Sequence, residues 1–234
     1  MMENRSSSII ENIKSIREQM EQAAFDSGRQ LSDVALMAVT KTVPAELVNV
    51  AVAQGIILLG ENRAQELLEK FDHYDPSAQV HFIGALQTNK VRQIIDKVSM
   101  IQSVDRLSLA QEIQRQCVKI DRKMDVLVEV NIGAEQSKSG IAPEALREFL
   151  HQLAGFDRLC VRGLMTIPPV SNGKNQIDSY FAAMREIFID MKAEKLDNVS
   201  MDVLSMGMSG DFVPAIRHGA NLVRLGSAIF GKRS

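Results

Sequence analysis

Hydrophobic residues in this chain gather in short runs, each followed by a polar loop and then a stretch with helical spacing. Such runs recur at 34–41, 56–62, 79–84, 100–105, 124–132, 158–167, 199–207 and 222–230. Most are nearly continuous in apolar and β-branched residues, the pattern of parallel strands covered on both faces. Between them, Ile177, Tyr180, Phe181, Met184, Phe188 and Met191 share one helical stripe. Leu107, Ala110, Ile113 and Cys117 form another with wider gaps. Pro143 suits the first turn of a helix, where its missing N–H costs nothing. Residues 1–28 predict an additional leading helix with Ile9, Ile13, Ile16 and Met20 on one face. That helix is expected to cap the lower mouth of whatever the strands enclose.

Alternating units of this kind, with no linker or low-complexity run between them, predict an α/β chain folded as a single (β/α)8 TIM barrel over residues 1–234. An open doubly wound sheet is the alternative, but no Gly-x-Gly-x-x-Gly follows its first strand.

Composition refines this picture in a few places. The 234 residues can bury a core without disulfide or metal staples. A net charge of -2, with 5% aromatics and no Trp, argues against a nucleic-acid surface. No apolar stretch is long enough for a transmembrane helix. The N-terminal stretch is too polar for a secretory signal. Cys117 and Cys160 match no metal or redox spacing and read as buried thiols in a reducing cytoplasm. Asn-X-Ser matches at Asn4 and Asn198 are chance without a secretory route. His73, His81, His151 and His218 form no HxH or HExxH pair, so no metal site is expected, and His81 reads as a packed side chain. Neither a Gly-x-Ser-x-Gly elbow nor a Walker loop is present.

In a barrel the C-terminal strand ends face the active site. Strand 1 is expected to end in Lys41, strand 2 in Glu61 and Asn62, strand 6 in Met165 and Thr166, and strand 7 in Ser205 to Gly207. A lysine at a barrel mouth is partly desolvated, which favours the neutral amine that attacks an aldehyde to form a Schiff base. Spacing alone favours the plainer reading of Lys41 as a solvated residue opening a loop. The loops SMGMSGDF and RLGSAIFG carry glycines that let backbone N–H groups approach an anion, and Ser209 and Ser227 add hydroxyls. Ordinary turns use the same residues. Arg224, two positions before Gly226, is expected to point inward from strand 8, toward a ligand or into a buried salt bridge with Glu61 or Glu129. A trapping lysine, a phosphate cradle and an inward arginine together suggest pyridoxal 5′-phosphate (PLP), which carries an aldehyde, a phosphate and a ring nitrogen.

The segments AVTKTVP, GENRAQE, HFIGALQTNK, SVD, VNIGAEQSKSG, RGLMTI, LSMGMSGDF and VRLGSAIFG, in this order, make the chain resemble the pyridoxal phosphate homeostasis protein family from about Val34 to Gly231. The resemblance implies a PLP barrel of fold type III, like the N-terminal domain of alanine racemase. It implies that Lys41 carries PLP as a Schiff base, that Asn62 lies near the ring and that Arg224 faces the pyridine nitrogen. Ser205, Ser209, Gly226 and Ser227 are implied around the phosphate, with the choice between the two serines of SMGMS left open. Lys138, in the QSKSG loop, is a family feature without an assigned role. Ala85 and Val80 stand where the family often has His and Trp, and both are expected at the mouth of the site.

Two function classes compete: a cytoplasmic PLP carrier supplying apo PLP-dependent enzymes, and a PLP-dependent amino-acid racemase or lyase. An arginine against the ring nitrogen disfavours its protonation and weakens the cofactor as an electron sink. Racemisation also needs a second acid/base group. The racemase supplies it from a further domain, for which the residues after Gly231 leave no room, and Tyr74 and Tyr180 are expected away from strand ends. A cofactor-free aldolase would leave the phosphate loops and Arg224 unexplained. The expectation is a monomeric carrier without robust turnover.

Overall fold

The apolar runs pair side by side in chain order, and the first closes onto the last. The computed structural model describes residues 2–135, 138–169 and 174–231. Its strands are β1 (Ala35–Val39), β2 (Leu58–Glu61), β3 (Gln79–Phe82), β4 (Met100–Val104), β5 (Met124–Glu129), β6 (Leu159–Met165), β7 (Val199–Ser205) and β8 (Leu222–Leu225). They form a closed, all-parallel barrel. The helices are α1 (Met2–Asp26), α2 (Ala45–Ala53), α3 (Ala64–Lys70), α4 (Val91–Ile94), α5 (Leu107–Lys119), α6 (Leu146–Leu153), α7 (Lys174–Lys192), α8 (Phe212–Arg217) and α9 (Ser227–Phe230).

Alternation along each strand divides the apolar residues between two cores. Met37, Ile83, Leu222, Met100, Leu127 and Met165 fill the barrel interior. Their strand neighbours Ala38, Phe82, Val126, Leu164 and Val223 belong to the layer under the helices. Both faces being buried explains why the runs read as continuous rather than alternating.

Two expectations need correction. The run at 222–230 is strand only as far as Leu225; its second half is the short helix α9. A single apolar stretch carries no mark of where one buried element hands over to another. The leading helix buries the predicted face, Ile9, Ile13, Ile16 and Met20, but does not cap the lower mouth. It lies along the flank of the barrel: Asn12 Nδ2 donates to the Ile229 carbonyl at 2.9 Å in α9. Just past the helix's other end, Arg29 donates to the Ala220 carbonyl at 3.0 Å, beside the start of β8. A four-residue α9 cannot cover the outer faces of β8 and β1, and α1 supplies the missing apolar surface.

Between β6 and β7 the register slips around Gly163. Its φ is 147°, and a Cβ there would lie 1.9 Å from the Val203 carbonyl oxygen. Neither the dihedral nor the space admits a side chain. Gly163→Ala is therefore expected to cost about 2 kcal/mol or more, lowering the Tm by roughly 4–8 °C in thermal unfolding followed by circular dichroism.

Candidate cofactor site

The strand ends converge on a cavity of about 240 Å³ at the C-terminal mouth of the barrel. Lys41, Asn62, Ser209, Arg224, Gly226 and Ser227 all line it. Ile83, Ile167 and Met208 add apolar wall, so the cavity suits a flat ring with polar edges. A larger concavity of about 630 Å³ lies at the other end, around Arg29, Arg185 and Arg217, and no lysine is among its lining residues.

Lys41 sits past the end of β1 rather than on it. Asn62 follows β2 directly, and its Oδ1 is buried without a hydrogen-bond partner. A buried amide oxygen without a donor is costly, and a ligand hydroxyl or N–H would satisfy it. Gly84 allows the neighbouring loop to approach: a Cβ there would fall 2.2 Å from the Asn62 carbonyl oxygen.

On the opposite wall Ser209 Oγ accepts from the backbone N–H groups of Gly226 at 3.2 Å and Ala228 at 3.1 Å. Two converging N–H donors already hold an oxygen at this place, the arrangement that receives an anionic oxygen. Ser205 behaves differently. It is fully buried, does not line the cavity, and accepts from Arg224 Nη1 at 2.6 Å. The serines of SMGMS thus separate: Ser209 faces the cavity and Ser205 holds the arginine.

Arg224 is 3% exposed on β8. Its Nη2 donates to the Thr166 carbonyl at 2.8 Å. Burial lowers its pKa to about 10, which leaves the guanidinium charged at neutral pH. Among the described residues no ion pair joins it to Glu61 or Glu129. Glu61 pairs with Lys70 at 2.6 Å instead, while Glu129 acts on Arg224 only through space.

From Ser205 a polar path runs across the barrel. Ser205 Oγ donates to Gln102 Oε1 at 2.8 Å, and Gln102 Nε2 donates to His81 Nδ1 at 2.9 Å. Burial depresses His81 to about 4, so the ring is neutral, and accepting at Nδ1 puts its proton on Nε2. Each link of this path, from Arg224 through Ser205 and Gln102 to His81, pairs one donor with one acceptor. Sequence reasoning treated His81 as packed, which matches its burial, but missed Gln102. The available signal was a long polar side chain at an inward position of the run MIQSV, next to the outward Ile101.

Val80 is buried in the layer under the helices rather than at the mouth, and Ala85, in the loop after β3, is exposed and lines no part of the cavity. Lys138 donates to the Pro168 carbonyl at 3.1 Å and pairs with Glu135, whereas Gln136 and Ser137 of the same loop lie outside the described residues. Tyr74 is buried, with its hydroxyl donating to Glu61 Oε1. Burial and the Glu61 charge push its pKa up, so it has no base to offer near neutrality. Among the described residues, no helix is long and apolar enough to cross a membrane and no group of metal-ligating side chains is found.

The family described as "Alanine racemase, N-terminal domain" matches residues 6–234. A relative named pyridoxal phosphate homeostasis protein, from Aquifex aeolicus (strain VF5), is 40% identical over 95% of this chain and 97% of its own length. The chain belongs to the pyridoxal phosphate homeostasis protein family. Among solved structures, PipY of Synechococcus elongatus PCC7942, described with PLP bound, shares the fold at a TM-score of 0.82 and 31% identity. The match covers 95% of this chain and 100% of PipY. An alanine racemase from Clostridium difficile 630 is 17% identical with a TM-score of 0.77, covering 97% of this chain and 60% of the racemase, a likeness of fold.

One buried carboxyl stands apart in this family member. Burial, reinforced by Asp105 and opposed by Arg224, raises Glu129 to about 7. A carboxyl whose folded pKa lies above its unfolded value destabilises the fold as pH rises between the two values. In the ligand-free protein Glu129→Gln is expected to raise the Tm at pH 8 by roughly 4–8 °C, for about 2 kcal/mol. The gain should shrink towards zero by about pH 3.5, below the ordinary glutamate value, where Glu129 is protonated in both states. Thermal scans of both proteins across that range check the sign.

Proposed function

We propose that this chain binds PLP through a Schiff base on Lys41 and serves intracellular PLP homeostasis as a carrier, without robust catalytic turnover. The observation that carries this reading is the convergence, on one cavity, of an amine, a buried guanidinium and a pair of N–H donors, with an orphaned amide oxygen between them. The relatives' name and PLP in the PipY structure support the ligand's identity.

Lys41 would supply its neutral amine to the aldehyde carbon, forming the C=N bond with loss of one water; water or another amine reverses the step. Asn62 would meet the ring edge with its unpartnered oxygen. Ser209, Gly226 and Ser227 would hold the phosphate, and Ser205 would keep Arg224 oriented towards the ring nitrogen. PLP supplies an electrophilic aldehyde and, where its ring is protonated, an electron sink. Arg224 only donates hydrogen bonds and stays cationic, so it favours the unprotonated ring and a poor sink. That arrangement suits holding and releasing the vitamer. The carrier is proposed to be cytoplasmic and monomeric, with apo PLP-dependent enzymes as receivers.

The racemase or lyase reading has one observation in its favour: Glu129, near the strand ends, titrates in the range useful to an acid/base group. Glu129 does not line the cavity with Lys41. Turnover of amino-acid enantiomers at ordinary enzyme rates in a chiral assay would establish that reading over the carrier.

PLP added to the purified protein should give the absorbance band of a lysine-linked chromophore, and borohydride should fix the label on the peptide containing Lys41. Lys41→Ala should lose both the band and the label. Unchanged spectrum and affinity in that variant would overturn the assignment. Bound PLP should also reconstitute an apo-enzyme, compared with free PLP at equal concentration.

A further inference from the structure

The residue after Lys41 has a backbone conformation that its side chain disfavours. Thr42 has a φ of 62°, in the left-handed region that β-branched residues rarely adopt. Such a conformation persists only where surrounding contacts impose it. Those contacts come from α3. The Thr42 N–H donates to Glu66 Oε1. Lys70, one turn further on, pairs with that same oxygen at 2.8 Å. Its Nζ also donates to the Thr40 carbonyl at 2.8 Å and reaches the Val43 carbonyl at 3.5 Å. The loop is therefore gripped on both sides of Lys41 and Thr42, and at the amide between those two grips.

The clamp is itself anchored. Lys70 pairs with Glu61, which is fully buried at the end of β2 and accepts from the Thr40 hydroxyl at 2.6 Å. Neither Glu66 nor Lys70 lines the cofactor cavity. Their contacts are with the backbone that carries Lys41.

We propose that Glu66 and Lys70 are positioning residues that hold Thr42 in its left-handed conformation and thereby aim the Lys41 amine into the cavity. This rests on the PLP reading above. Removing the acceptor lets Thr42 relax to negative φ, which turns the peptide plane leaving Lys41 and carries its side chain away from the aldehyde position. Glycine adopts positive φ without a Cβ penalty. A Thr42→Gly change therefore removes the need for the clamp.

The test uses the full chain, titrated with PLP, with the lysine-linked absorbance, borohydride labelling of Lys41 and Tm read together. Glu66→Ala should weaken PLP binding about tenfold or more and lower the labelled fraction. Adding Thr42→Gly to Glu66→Ala should restore affinity to within about threefold of the wild type, although the ion pair with Lys70 is still missing. Glu66→Gln, which keeps an oxygen for the Thr42 N–H, should bind nearly as the wild type does. Lys70→Met, with and without Thr42→Gly, repeats the comparison independently should Glu66→Ala fail to fold. Wild-type affinity in Glu66→Ala, or no recovery on adding Thr42→Gly, overturns the clamp while leaving the PLP reading intact. Absence of label on Lys41 in the wild type overturns the PLP reading itself.

Discussion

A charged guanidinium inside the barrel sets the terms for everything around it. Arg224 is buried, and burying a charge is tolerable only if its donors are met. Ser205 and the Thr166 carbonyl meet two of them. Ser205 needs an acceptor for its own proton and finds it in Gln102, which in turn needs one and finds it in His81. A half-satisfied network here would cost more than an apolar interior. The chain of partners therefore runs across the barrel, beginning at the cavity wall and ending on β3. It keeps the arginine fixed and cationic without the salt bridge to Glu61 or Glu129 that its position first suggests.

Glu61 serves a different purpose. With Lys70, Thr40 and Tyr74 it forms a polar knot behind the first βα loop, on the side of Lys41 away from Arg224. The cavity thus has one wall held by a donor-to-acceptor path and another held by an ion-pair cluster. Between them lie the unpartnered Asn62 oxygen and the Lys41 loop with its left-handed Thr42. Rigid surroundings with a few unsatisfied or strained groups are what a ligand site requires.

Much of this was legible in the chain. The strand starts fall close to the starts of the apolar runs, and the recurring unit led directly to a closed barrel. The strand ends were less legible. The run at 222–230 hides a change from strand to helix at Gly226, and Lys41 lies beyond the last residue of β1. Hydropathy records burial, and Leu225 at the end of β8 and Ile229 in α9 are both fully buried, so it does not mark where strand gives way to helix. The lining of the cavity by Lys41, Asn62, Ser209, Arg224, Gly226 and Ser227 follows the motifs. The separation of Ser205 from Ser209 does not.

The sequence by itself determined the number and order of the units, the family, and the residue types present near the strand ends. Those properties follow from local periodicity and from motifs within single segments. Only the tertiary structure decided which inward residues of different strands meet. Gln102 touches Ser205 across 103 positions, and Arg224 reaches Thr166 across 58. It also decided that the leading helix covers the flank, and that Glu66 and Lys70 grip the backbone of Lys41. Period-two alternation tells which face a side chain takes, but barrel closure and strand stagger set its height and its neighbours.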